Sequence, residues 1–182
     1  MKKSAATLLV LLLVAACSGA TKIGSHLATD VSLAGKKTYS ILDAPEGVGE
    51  RTPQIVEFIT NRISPEVKSG LAAKGYQEVP QGGALLVAIH ASQTGKVDAV
   101  RWGYSTAGWD FWGPAPGSGA SAYGYMGDYK TFAIVVDVVD AKSRTIVYRG
   151  WADAVARLDG QLTQDQIRAE VLKMLKDFPA AS

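Results

Sequence analysis

The chain has 182 residues, 47% hydrophobic and 20% charged, with 19 Lys and Arg against 17 Asp and Glu. That length supports one core of ordinary domain size. The near-balance of charge, without a clustered basic stripe, gives no electrostatic reason to bind nucleic acid, and none is expected as a partner. One cysteine, Cys17, leaves no pair from which an internal disulfide could form.

Lys2 and Lys3 open the chain, and Ala5 to Ala16 follow as an apolar run. About a dozen residues fit a secretory signal and are too few to span a bilayer. The run ends Val14-Ala15-Ala16-Cys17. It resembles the lipobox of bacterial lipoproteins, which implies a signal peptide over 1–16 and Cys17 as the lipidated first residue of the mature chain. Acylation at more than one position would explain stable anchoring, since a single acyl chain holds a protein only marginally. Ser18 stands where that family's inner-membrane retention signal has Asp, so the resemblance favours the periplasmic face of the outer membrane. Loss of Lys2 and Lys3 leaves 17 basic against 17 acidic side chains.

Residues 17–35 read as a lipidated cysteine and polar tether, with a weak edge-strand alternation at Asp30-Val31-Ser32-Leu33. A single periplasmic domain is expected over 36–182, opening with a strand at Thr38–Leu42 and a turn at Asp43–Gly47. Thr52 and Pro53 then announce a helix. Its apolar stripe is Ile55, Ile59, Ile63, Val67 and Leu71, widened by Phe58. Pro65 predicts a kink, or a restart with Ser64 as a second cap. Lys74-Gly75 predicts the stop.

Strands are expected over 84–91, 132–139 and 145–154. The first alternates Leu85, Val87 and Ile89 with Leu86, Ala88 and His90. The second is apolar on both faces apart from Asp137, as a central strand should be. The connection from Asp140 to Arg144 makes the last two an antiparallel hairpin. Thr163 as N-cap, Gln166 completing a capping box, and a staple between Leu162 and Ile167 predict a final helix ended by Pro179. The order β-α-β-β-β-α points to an α+β fold. It implies an antiparallel or mixed sheet of about four to five strands with both helices on one face.

Between two strands, residues 101–129 form a Gly-rich insertion. It holds Trp102, Tyr104, Trp109, Phe111, Trp112, Tyr123, Tyr125 and Tyr129, including three of the chain's four Trp. Connections this long are functional or disordered more often than not. Three readings stand: a hairpin covering the sheet, a surface for an envelope protein, glycan or small apolar ligand, or contact with the membrane surface. The candidate binding residues are Trp102, Tyr104, Trp109, Phe111, Trp112, Tyr123 and Tyr125.

Catalytic chemistry is not signalled. His26 and His90 are the only histidines, and neither stands at metal-ligand spacing with other donors. Nucleophile-elbow, phosphate-loop and zinc-protease motifs are absent. Glu46 and Glu50 flank a glycine-rich loop and read as solvated loop acids in preference to an acid/base pair, while Asp98, Asp110 and Asp128 around the insertion either line a sugar site or keep the loop soluble. Asp137 and Asp140 read as strand-end and turn hydrogen-bonding residues. No cofactor, metal or catalytic residue is expected.

Several pieces recur in one order: Lys37-Thr38-Tyr39-Ser40, Lys74-Gly75-Tyr76, Leu85-Leu86-Val87, Val138-Val139-Asp140-Ala141-Lys142, Arg149-Gly150-Trp151 and Phe178-Pro179. From about Asp30 to Pro179 the chain resembles the domain of unknown function 4136 family, largely envelope lipoproteins. Gly83-Ala84 departs from the Pro-Asp frequent there. The resemblance implies an α+β lipoprotein domain without an agreed activity. The expected role is thus a non-enzymatic accessory or scaffold, anchored to the outer membrane. The alternative is a module binding a glycan or small apolar ligand through the insertion.

Overall fold

The computed structural model describes residues 23–29, 31–43, 53–92, 96–97, 124–125, 133–152 and 163–182. In chain order these form β1 (Ile23–Leu27), β2 (Thr38–Ile41), α1 (Pro53–Phe58), a π-helical turn (Ile59–Ile63), α2 (Ser64–Ala73) and β3 (Gln77–Glu78). There follow β4 (Leu85–Ser92), β5 (Lys96–Val97), β6 (Gly124–Tyr125), β7 (Ala133–Asp140), β8 (Ile146–Ala152) and α3 (Gln164–Met174).

Six strands make one mixed sheet in the order β1-β8-β7-β4-β2-β3, and β5 pairs with β6 separately. The class is the α+β expected, with more strands. Neither added edge carries a strong sequence signal: β3 has two residues, and β1 reads Ile-Gly-Ser-His-Leu. β1 lies inside the stretch read as tether, yet it pairs antiparallel with β8 along its whole length. What admits it is complementarity: a Cβ on Gly24 would lie 2.0 Å from the Trp151 ring, so the glycine leaves room for the indole of the neighbouring strand.

The sheet's two faces follow from register. Leu85, Val87 and Ile89 align with Asp140, Val138 and Val136, and these with Tyr148 and Gly150 of β8. That face merges with Ile55, Phe58, Ile63, Val67 and Leu71 of the first helical run and Ile167, Val171 and Met174 of α3 into one core. Both helices therefore cover the same face. Gly150 lets α3 approach, since a Cβ there would stand 2.6 Å from the Met174 carbonyl oxygen. Tyr148 Oη donates to the same oxygen at 2.5 Å, and burial pushes its phenol up to about 12. A bulge between Val138 and Val139 in the pairing of β7 with β8 shifts the register by one residue.

The helical run absorbs Pro65 without a break. In a continuous α-helix the proline ring would press on the carbonyl four residues back and leave it without a donor. Here the preceding turn widens to π geometry, with Ser64 N–H donating to Ile59 O. Ser64 is itself helical (φ −56°, ψ −42°), so it is not the second cap expected from the sequence. The run ends as predicted. Gly75 has φ +87°, its N–H donates to Ala72 O at 2.9 Å, and Tyr76 N–H reaches Leu71 O at 3.1 Å. The capping box of α3 is also present: Thr163 Oγ1 accepts from Gln166 N–H, and Gln166 Oε1 accepts from Thr163 N–H. Leu162 and Thr52 lie outside the described residues.

Candidate functional site

The second face of the sheet carries Leu86, Ala88, His90, Val135, Asp137, Val139, Arg149 and Trp151. Asp137 and Arg149 stand opposite each other in register and are 0% and 1% exposed. Their contact is fork to fork: Arg149 Nε donates to Oδ1 at 2.5 Å and Nη2 to Oδ2 at 2.6 Å. From β4, His90 places Nε2 3.5 Å from Oδ2. Burial alone would raise the Asp137 carboxyl. The Arg149 charge and hydrogen bonds, with a smaller contribution from His90, outweigh it and hold the group well below the usual carboxylate range. A general base needs an approachable lone pair and a pKa near the working pH. Asp137 is buried and clamped, and its carboxylate oxygens are taken up by Arg149 and His90 in contacts that tie β7 to β8 and β4.

A second polar group locks the helices. Glu66 is buried on α2. Arg168 Nε donates to its Oε2 at 2.9 Å and Gln164 Nε2 to its Oε1 at 2.8 Å. The hydrogen bond from Arg168, then that from Gln164, lowers the Glu66 carboxyl despite its burial. Gln164 Nε2 also reaches Arg62 O, in the π turn, at 3.0 Å. The widened turn and α3 are thus tied by one side-chain amide.

Asp140 organises the β7–β8 connection, as the sequence suggests. Its Oδ1 accepts from Lys142 N–H at 2.9 Å and Ser143 N–H at 2.8 Å, and its Oδ2 pairs with Lys36 Nζ. Arg144 closes the turn in the left-handed region, at φ +57°. Asp137 differs from the strand-end role expected of it: it sits mid-strand in the buried pair.

An open recess of about 340 Å³ lies beside the π turn, lined by Ile41, Leu42, Ile59, Thr60, Ser64 and Ile89, among others. Lys68 and Glu78, paired at 2.7 Å, also line it.

Cys17, Trp102, Tyr104, Trp109, Phe111, Trp112 and Tyr123 lie outside the described residues, as do Glu46, Glu50, Asp98, Asp110 and Asp128. Tyr125 is placed by its backbone alone, in β6 opposite Lys96 of β5. His26 is exposed on β1, and His90 is buried on β4 beside Asp137. Among the described residues no group of three or more His, Cys, Asp or Glu is placed to hold a metal ion. The Asp137–Arg149 pair escaped sequence reading. Its signal was a carboxylate alone among valines in β7 and an arginine among apolar residues in β8, on opposite sides of one short turn.

These features define a mixed-sheet α+β domain, helices on one face and a buried ion pair on the other. The chain belongs to the family described as Domain of unknown function (DUF4136), whose model matches residues 25–180. Among solved structures, it resembles a PDZ domain protein of Parabacteroides distasonis. The TM-score is 0.50 at 12% identity, over 88% of this chain and 36% of that one. That likeness concerns the fold alone. The PelC dodecamer of Paraburkholderia phytofirmans matches at TM-score 0.48 and 10% identity, over 90% of this chain and 100% of that one. A DUF4136 family protein of Bacteroides thetaiotaomicron matches at TM-score 0.44 and 14% identity, over 85% of this chain and 98% of that one. No curated protein matches the sequence.

Proposed function

We propose that this chain is a lipid-anchored protein of the bacterial cell envelope, held at the periplasmic face of the outer membrane through Cys17. Its domain serves as a non-enzymatic accessory or scaffold. The observation that carries the reading is the run Val14-Ala15-Ala16-Cys17 behind a basic start and an apolar stretch. The described polar side chains support the second half of the reading: Asp137, Arg149, Glu66, Gln164 and Asp140 are engaged in fold contacts.

The test is mass spectrometry of the protein purified from membranes. The expected species begins at Cys17 and carries acyl chains, and a Cys17→Ala variant leaves the membrane fraction. A bare thiol with the leader intact, or cleavage elsewhere, sinks the anchor. The scaffold role is tested by crosslinking in intact envelopes, which should recover a defined partner. The competing reading, a module for a glycan or small apolar ligand, draws on Trp109, Phe111 and Trp112 in the insertion. Saturable change in tryptophan fluorescence on titration with envelope glycans, without a crosslinked partner, would favour it.

A further inference from the structure

Four strands end in one row at one end of the main sheet. Ile23, the first residue of β1, pairs with Ala152, the last of β8. Ala152 pairs with Ile134, the second residue of β7, and Ile134 with Ala91 near the end of β4. The separate ladder β5–β6 begins four residues beyond Ser92, at Lys96. The other end carries the Asp140–Arg144 turn and the Lys36–Asp140 pair.

We infer that the first of these ends, the Ile23–Ala152–Ile134–Ala91 end, faces the phospholipid headgroup layer. The inference rests on the Cys17 anchor proposed above and adds an orientation to it. Only residues 18–22 separate Cys17 from Ile23. Fully extended, that connection reaches about 20 Å, at ~3.3–3.6 Å per residue. The eight residues of β7, seven steps of ~3.3 Å, place the two ends of the sheet about 23 Å apart. The connection leaves from the Ile23 end, so the Ile23 end is held near the acyl chains. The Asp140–Arg144 turn is held a strand's length further out. A second observation points the same way. The short ladder beyond Ser92 sets Lys96 opposite Tyr125. Lysine and tyrosine are residue types that favour the membrane–water interface. The surface left open to aqueous partners is then the end built by Asp140, Lys142 and Lys36.

The test uses the acylated full chain in phosphatidylethanolamine–phosphatidylglycerol vesicles containing a headgroup-nitroxide lipid. A bimane fluorophore is placed at Lys96→Cys or at Lys142→Cys. Mass spectrometry first establishes that the reconstituted protein is acylated at Cys17. Quenching at position 96 is expected to exceed that at position 142 several-fold. Adding ten Gly/Ser residues between Ser18 and Lys22 should cut the contrast by half or more. Equal or reversed quenching in acylated protein overturns the orientation while leaving the anchor standing. A contrast untouched by the longer connection overturns the claim that these five residues set it. Absence of acylation overturns both.

Discussion

The two faces of the main sheet are held by different physics. The helix-covered face is mainly hydrocarbon: Val87, Val136 and Val138 are fully buried, as are Ile63, Val67 and Met174 from the helices. Such a face is stabilised by many small, non-directional contributions, and volume-conserving exchanges are tolerated. The second face buries aliphatics too, Ala88, Val135 and Val139, but sets a carboxylate and a guanidinium among them. The first face specifies which side of a strand points inward. The second specifies which residue of β7 lies opposite which residue of β8, because a one-residue slip would separate Asp137 from Arg149 and bury both charges alone. The bulge between Val138 and Val139 makes that distinction useful, since it is where the hairpin register is easiest to misplace.

Breaking the pair from one side should therefore have the largest effect. Asp137→Val or Arg149→Met alone leaves a buried charge without its counter-ion and is expected to cost about 3–5 kcal/mol. The double variant Asp137→Val/Arg149→Met removes both charges and should recover most of that loss. Urea unfolding of the four proteins closes the cycle. If the double variant is no more stable than either single one, the cost lies in packing and not in an orphaned charge.

Acid sharpens the same contrast. Asp137 is depressed in the folded protein, so the unfolded chain binds its proton first as pH falls. The pair's contribution is complete above the unfolded carboxylate value of about 4 and is lost as pH drops towards the folded value. Glu66, lowered by Arg168 and Gln164, acts in the same direction. The urea midpoint of the native chain should hold between pH 7 and 5 and fall below pH 4. In the double variant the fall should be shallower, with Glu66 among the groups that account for what remains. An identical slope in both would remove Asp137 from the account.

Legibility in the sequence tracks the range of the interaction. The α3 capping box is legible because Thr163 and Gln166 are three residues apart. The Gly75 stop and the Asp140 turn are legible for the same reason. The alternation in β4 and the apolar character of β7 report burial, which is also local in its signature. Asp137 with Arg149 is not legible as a pair, because it depends on a bulged register. β1 is not legible because its stability comes from β8, where Trp151 fills the space over Gly24. Pro65 announces a perturbation in the helix, yet its form, a π turn held by Gln164 from a distant helix, is a tertiary outcome. Apart from the backbone of Tyr125, the aromatic residues and Cys17 that motivate the functional reading lie outside the described residues.

Two glycines on opposite faces of adjacent strands allow a smaller, paired test. Gly150→Ala puts a methyl 2.6 Å from the Met174 carbonyl oxygen, which is backbone and already holds Tyr148 Oη. Gly24→Ala puts one 2.0 Å from the Trp151 ring, a side chain. The first must move a helix and the second an indole. We expect a cost of about 2 kcal/mol for Gly150→Ala and about 1 kcal/mol for Gly24→Ala, within the range for overpacking. The order matters more than the values. If Gly24→Ala proves worse, the indole is held as firmly as the backbone of α3, and the second face is the more rigid of the two.

The mildest change separates the end of a helix from its packed face. Thr163→Ala removes the acceptor for Gln166 N–H and, with it, half of the reciprocal box. The expected cost is about 1 kcal/mol. Gln164 follows directly and ties α3 to Glu66 and to the π turn, so the same variant asks whether the cap also aims that side chain. Hydrogen exchange distinguishes the cases. Loss confined to amides in the first turn of α3 means the cap acts alone. Faster exchange at Ser64 and its neighbours as well means the cap holds Gln164 against the Arg62 carbonyl, and that the start of α3 and the middle of the long helical run open as one unit.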